Sequence, residues 1–248
     1  KTLSDIKHIP LLKKKELIFL QSIGPRLGGL LTKDIGELKR IFLSPGPIFD
    51  PEDRMDDYWG YTEAFYSVGF RPGDVVQVTF NYHLSPAGLM FEEPLRNLGC
   101  ASIPAGPTDP GTQLDIMQKL RVSGYVGTAS YLMHLAQKAE EKGINLRKDL
   151  FQEVAFVTGE RLSEKMRNQL EKKFDIILRQ GYGTADVGCI GYECFHKTGL
   201  HISNRCYVEI CHPDTGIPLK DGEVGEIVVT SFNKTYPLIR LATGDLSY

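Results

Sequence analysis

The sequence contains no apolar run long enough to cross a lipid bilayer. A membrane-spanning helix needs roughly 18 or more consecutive apolar residues, and polar or charged residues interrupt every apolar stretch of this chain. The segment from Lys1 to Asp5 is not followed by the apolar core of a signal peptide. We therefore expect a protein that neither spans a membrane nor carries a secretory signal at this end.

Cysteines are few and the net charge is small. The chain has five cysteines, an odd number, and four of them lie between Cys189 and Cys211, which is atypical of a secreted disulfide framework. The 29 basic and 31 acidic residues leave a formal charge of −2, without the basic excess of a nucleic-acid-binding protein. We interpret the single dense basic run, Lys13 to Lys15, as a solvated helix end. These features predict a cytoplasmic protein with no nucleic-acid or membrane partner.

The composition is that of an ordinary globular protein. Of the 248 residues, 42% are hydrophobic and 24% are charged, which is enough to bury a full core in one large domain or two small ones. The chain begins with Lys1 instead of methionine and stops at Tyr248, shortly after a Gly-Asp turn. We interpret it as a fragment of a longer protein.

Strand-like and helix-like segments alternate from Arg71 onward. Apolar runs bounded by turn residues predict strands at 75–80, 101–104, 125–127, 154–157 and 176–178. Helical spacing and capping residues predict helices at 87–98, 108–121, 130–142 and 163–174. This alternation predicts an α/β fold with a mostly parallel sheet flanked by helices.

The character of the chain changes after Gly181. Short β-rich pieces at 206–210, 227–231 and 238–241 replace the long helices, and glycine-containing turns separate them. The sequence therefore predicts an α/β part over residues 1–180 and an antiparallel β-rich part over residues 181–248.

Three predicted strand ends carry residues suited to chemistry. They are Gly159-Glu160, the segment 180–186, and the segment 237–245. Ligands of open α/β sheets bind at the carboxyl ends of strands, and glycines beside a tyrosine let a flat ligand approach the backbone closely. Asp245 could accept hydrogen bonds from a ribose diol, and Asp186 could hold Mg²⁺. Each segment taken alone could equally be an ordinary turn or helix start.

Taken in order, these segments resemble the phenylacetate–coenzyme A ligase branch of the adenylate-forming superfamily. The segments that match the motifs of that branch extend over most of the chain: Gly73–Gln77, Asn81–Gly88, Gly127–Leu132, Phe156–Glu160, Tyr182–Asp186, Glu193-Cys194, Gly199–His201 and Tyr236–Asp245. The resemblance implies the amino-terminal domain of an adenylate-forming enzyme. It places the acyl pocket on the side of residues 1–180 and the nucleotide motifs in residues 181–248.

The resemblance implies an AMP-forming acyl- or aryl-coenzyme A ligase. Such an enzyme uses ATP to convert a small carboxylic acid, often an aryl acid, into an acyl-adenylate, and coenzyme A then displaces AMP. The cofactors implied are ATP or AMP, Mg²⁺ and coenzyme A, and the implied assembly is a homodimer. The small carboxyl-terminal lid domain of the family is expected beyond Tyr248, and part of the large domain is expected before Lys1.

The same resemblance assigns roles to individual residues. Asp186 would face Mg²⁺ and the α-phosphate, and Arg240 is the second candidate catalytic residue. The implied nucleotide-binding residues are Gly159 and Glu160, then Gly181, Tyr182 and Gly183 at adenine, and Asp245 at the ribose hydroxyls. The implied acyl-pocket residues are Tyr82, His83 and Tyr131.

The family's phosphate loop is where this sequence departs most. The family has a Ser/Thr/Gly-rich loop ending in glycine-lysine-proline, whereas this chain has 43–52, with three prolines and no lysine. Proline removes backbone N–H donors, and five acids lie close by, at positions 50, 52, 53, 56 and 57. Ala185 also lacks the hydroxyl expected beside the α-phosphate. A degenerate homologue that binds AMP, an acyl group or coenzyme A as a sensor or assembly partner is therefore the alternative prediction.

Cysteines and a histidine suggest a further site. A hairpin could bring Cys194, His201 and Cys206 together around a structural Zn²⁺, and some relatives carry the same residue types there. Alternatively, Cys189, Cys206 and Cys211 are small buried apolar residues.

Overall fold

The protein is described by a computed structural model that covers residues 3–248. The chain divides into two compact units. The central unit comprises Asp56–Gly183 and Gly191–His201, and the terminal unit comprises the described residues up to Met55 together with Thr184–Ile190 and Ile202–Tyr248. Within the described residues, no helix has the length and apolarity needed to cross a membrane.

The regular elements comprise thirteen strands, six α-helices and three short 3₁₀ helices within the described residues. The 3₁₀ helices are Leu3–His8, Arg26–Gly29 and Ile35–Glu37. In chain order the other elements are β1 (Leu12–Lys13), α1 (Lys14–Ile23), β2 (Arg40–Ser44), β3 (Ile48–Glu52), α2 (Thr62–Val68), β4 (Val75–Val78), α3 (Ala87–Asn97), β5 (Ala101–Pro104), α4 (Pro110–Lys119), β6 (Gly124–Gly127), α5 (Ala129–Glu141), β7 (Val154–Val157), α6 (Glu164–Phe174), β8 (Ile177–Thr184), β9 (Gly188–Tyr192), β10 (His201–Ile202), β11 (Cys206–Cys211), β12 (Gly225–Ser231) and β13 (Leu241–Ser247).

The central unit contains a parallel sheet, as the sequence predicted. Strands β8-β7-β6-β4-β5 are consecutive in a seven-stranded sheet, and each of their four neighbouring pairs is parallel. Strand β7 coincides with the predicted segment 154–157, and its four residues are buried. A strand covered on both faces is typical of a sheet with helices on either side.

Capping residues explain where the central helices begin. Asp109 accepts hydrogen bonds from the backbone N–H groups at the start of α4, where Pro110 occupies the first turn. Thr128 caps α5 by accepting from Tyr131 N, and Ser163 caps α6 by accepting from Met166 N. The helices of the α/β part thus begin within one or two residues of their predicted starts.

Apolar residues of these helices pack on the sheet to form the core of the central unit. Leu132, Leu135, Ala136 and Ala139, which lie on one face of α5, are buried. They belong to a cluster that also includes Leu178 of β8. The helical spacing in the sequence therefore identified the buried face of α5 correctly.

The terminal unit contains a four-stranded sheet in the order β1-β13-β12-β11. Strand β1 is parallel to β13, and the other pairs are antiparallel. Strands β2 and β3 form a separate antiparallel hairpin. Leucines from the first forty residues share one core with Tyr236, Leu238 and Leu241.

Two features of the terminal unit differ from the sequence-based expectation. The segment 238–241 is not a strand, since Arg240 has φ = 51° and β13 begins only at Leu241. A left-handed residue interrupts extended backbone. The division of the chain also differs from a boundary at residue 180, because the pairing of β1 with β13 joins the amino-terminal segment to the carboxyl-terminal strands.

Candidate functional site

Three of the predicted segments meet at one edge of the central sheet. Gly127 of β6 pairs with Val157 of β7, and Val157 pairs with Gln180 of β8. Because the strands are parallel, the residues that follow these three positions emerge at the same carboxyl-terminal edge. Gly159-Glu160 and Gly181–Gly183 are therefore neighbours in the structure, although some twenty positions separate them in the chain.

Glu160 connects two of these strand ends directly. Its carboxylate accepts a hydrogen bond from Ser130 N at 2.5 Å and another from Ser130 Oγ at 2.9 Å. Ser130 lies in the first turn of α5, where a carboxylate is favoured by the helix dipole. Glu160 thus holds the β7–α6 turn against the amino terminus of α5, a role that the sequence did not reveal.

Glycine is required at two positions of this edge. Gly159 has φ = 82°, in the left-handed region where a side chain is disfavoured. A Cβ atom on Gly181 would lie 2.3 Å from Cζ of the buried Phe156 ring. Because Gly181 has no Cβ atom, β8 can pack directly against the Phe156 ring. Tyr182 and Gly183, which follow Gly181, are partly exposed at the edge of the sheet.

A cavity of about 220 Å³ opens near the carboxyl ends of β4, β5 and β6. Its lining residues are Thr79, Phe80, Pro107, Thr128 and Tyr131. The Tyr131 hydroxyl donates to the Thr108 carbonyl at 2.8 Å, which fixes the ring at the cavity wall. Burial, together with the Asp109 carboxylate, raises the pKa of Tyr131 above its ordinary value.

The two other predicted acyl-pocket residues lie elsewhere on the β4–α3 connection. The Tyr82 ring packs against Gly88, where an added Cβ would lie 2.6 Å from Cδ2 of the ring. Burial, followed by the Glu92 carboxylate, raises the pKa of Tyr82. His83 is exposed, and its backbone N–H donates to Asn81 Oδ1. Neither residue lines the cavity beside Tyr131.

Asp186 is buried in the terminal unit and is paired with a lysine. Its side chain is 2% exposed, and its Oδ2 atom lies 3.1 Å from Lys14 Nζ. Its Oδ1 atom is buried without a hydrogen-bond partner. Lys14 is the first residue of α1, so the basic run does lie at a helix end. Its ammonium group, however, is only partly solvated, because it pairs with the buried Asp186 carboxylate.

A second buried carboxyl group, Asp50 of β3, interacts electrostatically with Asp186. Asp50 is 1% exposed, and neither of its oxygens has a hydrogen-bond partner of ordinary geometry. Burial, and then the Asp186 charge, raise the pKa of Asp50 to about 7. The sequence does not reveal this pairing, since Lys14 and Asp50 lie far from Asp186 in the chain, each among other charged residues.

This environment does not fit Mg²⁺ held by Asp186. The lysine ammonium already occupies one carboxylate oxygen, and the part of the chain that the structure describes contains no group of three His, Cys, Asp or Glu residues that could hold a metal ion. Mg²⁺ needs several oxygen ligands in octahedral geometry.

All five N–H donors of Arg240 are used within the terminal unit. Its Nε and Nη2 atoms pair with Glu209, at 3.0 and 3.3 Å. Nη1 donates to the carbonyls of Lys7 and Ile9, and Nη2 also donates to the Gly216 carbonyl at 2.7 Å. The buried guanidinium thus joins three segments of the chain. This arrangement gives Arg240 a structural role and leaves no donor for a ligand, so the predicted catalytic role has no support in the structure.

The structural role of Arg240 predicts a stability effect. An Arg240→Lys variant keeps the charge but cannot reproduce the planar fork of donors. We expect its free energy of unfolding to fall by about 2 kcal/mol, because several buried acceptors lose their partners. Urea denaturation measures this change. A variant with unchanged stability but impaired catalysis of the whole protein would contradict the structural role.

Asp245 lies in an exposed part of β13. Its backbone N–H donates to Thr243 Oγ1 at 3.2 Å, and the preceding Gly244 N–H donates to Glu226 Oε1 at 3.0 Å. These bonds fix the turn that presents Asp245, whose residue surface is open to solvent. The carboxylate is accessible to a ligand, in contrast to Asp186.

The hairpin β2–β3 occupies the part of the sequence where the family has its phosphate loop. Its acids are largely neutralised: Glu52 pairs with Lys39 at 3.2 Å and with Arg40 at 3.0 Å, and Asp53 pairs with Lys33 at 2.7 Å. The expected repulsion of a triphosphate by these two acids is therefore weakened. A β-hairpin nevertheless directs about half of its backbone N–H groups into strand pairing.

The cysteines provide no evidence for a zinc site. All five are free thiols, and burial raises the pKa of Cys206 to about 11. The Cys206 side chain is buried, and its Sγ atom lies 3.6 Å from the Ser203 carbonyl oxygen. The zinc site of Cys194, His201 and Cys206 stays a prediction without support among the described residues.

The model of the AMP-binding enzyme family matches residues 58–234, which is more than half of the chain. The chain therefore belongs to the AMP-binding enzyme family. Its similarity to curated phenylacetate-coenzyme A ligases places it in that branch of the family, as the ordered motifs predicted.

Two of these relatives show the extent of the similarity. The phenylacetate-coenzyme A ligase of Pseudomonas putida is 31% identical over 186 residues, which cover 73% of this chain and 42% of the relative. The Thermus thermophilus enzyme of the same name is 27% identical over 263 residues, which cover 99% of this chain and 57% of the relative. The chain thus spans about half the length of the curated relatives it matches.

Solved structures confirm the fold. An open conformation of 2-hydroxyisobutyryl-CoA ligase, in complex with 2-HIB-AMP and CoA, superimposes with a TM-score of 0.92 at 23% identity and covers 100% of this chain and 56% of its own. Apo MatB from Rhodopseudomonas palustris gives a TM-score of 0.62 at 17% identity, over 81% of this chain and 41% of its own. The predicted α/β fold of adenylate-forming enzymes is therefore correct.

Proposed function

We propose that the protein to which this chain belongs is an AMP-forming acyl-coenzyme A ligase. It would activate a small carboxylic acid with ATP and pass the acyl group from the adenylate to coenzyme A. The observation that carries the proposal is the common edge of β6, β7 and β8, where the Glu160 turn and the Gly181–Gly183 segment become neighbours. The relatives whose names include phenylacetate-coenzyme A ligase support it.

The partly exposed segment Gly181–Gly183 suits a nucleotide base, because Tyr182 offers an aromatic face for adenine. The branch resemblance separately assigns the ribose hydroxyls to Asp245, an exposed residue of the terminal unit. The cavity beside Tyr131 is small and lined largely by apolar surface, which suits the acyl group of a compact acid. Aromatic Phe80 and Tyr131 favour an aryl acid. The branch resemblance extends the proposal to Mg²⁺ as the ATP counterion, to a homodimer and to a cytoplasmic location.

The test is a calorimetric titration of the protein with AMP and with Mg-ATP. We expect AMP to bind with a Kd below about 1 mM, which corresponds to about −4 kcal/mol. Asp245→Ala should weaken AMP binding at least tenfold, because a charge-assisted hydrogen-bond acceptor is lost. Asp221→Ala removes another exposed acid, in a surface turn, and should leave the affinity unchanged.

Other outcomes would redirect the proposal. Equal weakening by the two substitutions would remove the ribose assignment of Asp245. Binding of AMP without Mg-ATP would favour a degenerate homologue whose phosphate loop has lost its triphosphate role. Binding of neither nucleotide would contradict the nucleotide site altogether.

A further inference from the structure

Three of the residues that line the cavity beside Tyr131 carry hydroxyl groups. They are Thr79, Thr128 and Tyr131, and the two other described residues of the wall, Phe80 and Pro107, are apolar. The polar character of the cavity therefore depends on these three groups. Because each hydroxyl has one hydrogen to donate and lone pairs with which to accept, the partners of the three groups decide what the cavity offers to a ligand.

Glu160 sets the direction of the hydrogen bond at Thr128. The Glu160 carboxylate has no hydrogen to donate, so Ser130 Oγ donates to it at 2.9 Å. The Ser130 hydroxyl has then used its only hydrogen, and it must accept in its contact with Thr128 Oγ1 at 3.2 Å. Thr128 is therefore the donor of this pair, and its hydrogen is directed to Ser130.

The hydrogen of Thr79 is also used within the protein. Thr79 Oγ1 lies 3.2 Å from the Tyr125 hydroxyl and 3.3 Å from the Val126 carbonyl, and both can accept from it. The Tyr125 hydroxyl in turn donates to the Thr128 carbonyl at 3.1 Å. A Cβ atom on Gly127 would collide with the hydroxyl oxygens of both Thr79 and Tyr125. Glycine at this position thus makes room for two hydroxyl groups at the end of β6.

The third hydroxyl, that of Tyr131, donates to the Thr108 carbonyl. Every hydroxyl on the described wall of the cavity therefore donates to a protein atom, and its remaining lone pairs can only accept from a ligand. Thr79 is 9% exposed, so water has little access to its oxygen. Leaving such a buried acceptor without a donor costs about 1–3 kcal/mol. A site of this kind rejects a ligand that lacks the matching donor.

We propose that the cavity selects a compact aryl acid whose ring carries a hydrogen-bond donor, such as a hydroxyl group, and that Thr79 is a specificity-determining residue. This inference rests on the proposed function, because it takes the cavity as the acyl pocket. Phe80 and Tyr131 contact the ring, and Thr79 Oγ1 accepts the hydrogen bond from its substituent. A methyl group of similar size at the same ring position leaves that acceptor unpaired.

The experiment is a ligand-observed NMR titration of the protein with the three isomers of hydroxyphenylacetate and the three matching methylphenylacetates. We expect at least one hydroxy isomer to bind about tenfold more tightly than its methyl counterpart. Thr79→Val keeps the branched side chain but removes the acceptor, and the ratio should fall below about twofold. Thr79→Ser keeps the hydroxyl and should retain the preference.

Two controls accompany these variants. Thr198→Val makes the same chemical change at an exposed position outside the cavity wall, and it should leave the preference unchanged. Phenylacetate carries no ring substituent, so it should bind alike to the unmodified protein and to all three variants. Its binding shows that the cavity is intact in each of them.

Two results would overturn the inference and leave the acyl pocket in place. One is equal affinity of the unmodified protein for hydroxy and methyl isomers at all three ring positions. The other is a preference that persists in Thr79→Val, because shape and not Thr79 would then cause the selection. If no acid binds with a Kd below about 10 mM, the cavity is not the acyl pocket and the inference fails. Binding of AMP would still support the nucleotide site in that case.

Discussion

An Arg167→Met variant is expected to lose about 3–5 kcal/mol of unfolding free energy, the typical cost of breaking a buried ion pair. Arg167 of α6 pairs with Glu193 through two hydrogen bonds, of 2.6 and 3.0 Å, and both side chains are almost fully buried. Methionine fills a similar volume but leaves the Glu193 carboxylate in the core without its counterion. Chemical denaturation at pH 7 measures the loss.

The same substitution should also disturb the proposed adenine segment. Glu193 accepts hydrogen bonds from Gln180 N and Gln180 Nε2, both at 2.9 Å. Gln180 immediately precedes Gly181, so the ion pair fixes the strand end that carries Gly181–Gly183. We therefore expect AMP affinity to fall in Arg167→Met even at temperatures where the variant remains folded.

Two controls separate the buried ion pair from ordinary charge loss. Lys119→Met breaks an exposed pair with Asp115, whose charged atoms lie 3.4 Å apart, and it should cost less than about 1 kcal/mol. The double variant Arg167→Met with Glu193→Leu removes both buried charges and should recover much of the lost stability. A double variant no more stable than Arg167→Met would show that packing, and not an unpaired charge, causes the loss.

The elements of the central unit could be predicted because local signals and tertiary packing agree there. Two capping residues, Asp109 and Ser163, and the apolar face of α5 each predict a helix from local sequence. In the structure the two residues cap α4 and α6, and the apolar face of α5 is buried. The prediction of a strand over 238–241 was wrong, although the apolar residues Leu238 and Leu241 are indeed buried. They enter the core from an irregular turn, which apolar content alone cannot distinguish from a strand.

The candidate site was predictable only in part, and the reason is the distance between partners in the chain. Parallel strand order follows from the α/β pattern, so the proximity of Glu160 to Gly181 could be expected. The partners of Arg240 and Asp186 lie about 30 and 170 residues away, and no local pattern connects them. The family resemblance suggested catalytic roles for Arg240 and Asp186. In the structure Arg240 is buried and all of its N–H donors are used, which gives it a structural role.

An Asp50→Asn variant is expected to be more stable than the unmodified protein at pH 8, by about 4 kcal/mol. The pKa of Asp50 is raised from 3.8 to about 7 in the folded state, and each unit of pKa corresponds to about 1.4 kcal/mol. Between these two values the folded protein binds the proton more tightly than the unfolded chain. Stability therefore falls as the pH rises from about 4 to about 7 and is constant above that range.

Asparagine cannot ionise, so the gain in free energy of unfolding from Asp50→Asn should be small near pH 4 and complete at pH 8. Asp53→Asn, three residues away, is the matched control, and its effect on the free energy of unfolding at pH 8 should have the opposite sign. The pKa of Asp53 is lowered to about 2, so its carboxylate stabilises the fold above pH 4 and loses this effect as the pH falls towards 2. Urea denaturation at pH 4.5, 6 and 8 tests both variants. If Asp50→Asn were destabilised at pH 8 as Asp53→Asn is, the Asp50 carboxylate would stabilise the folded protein, and burial and the Asp186 charge could not raise its pKa as described.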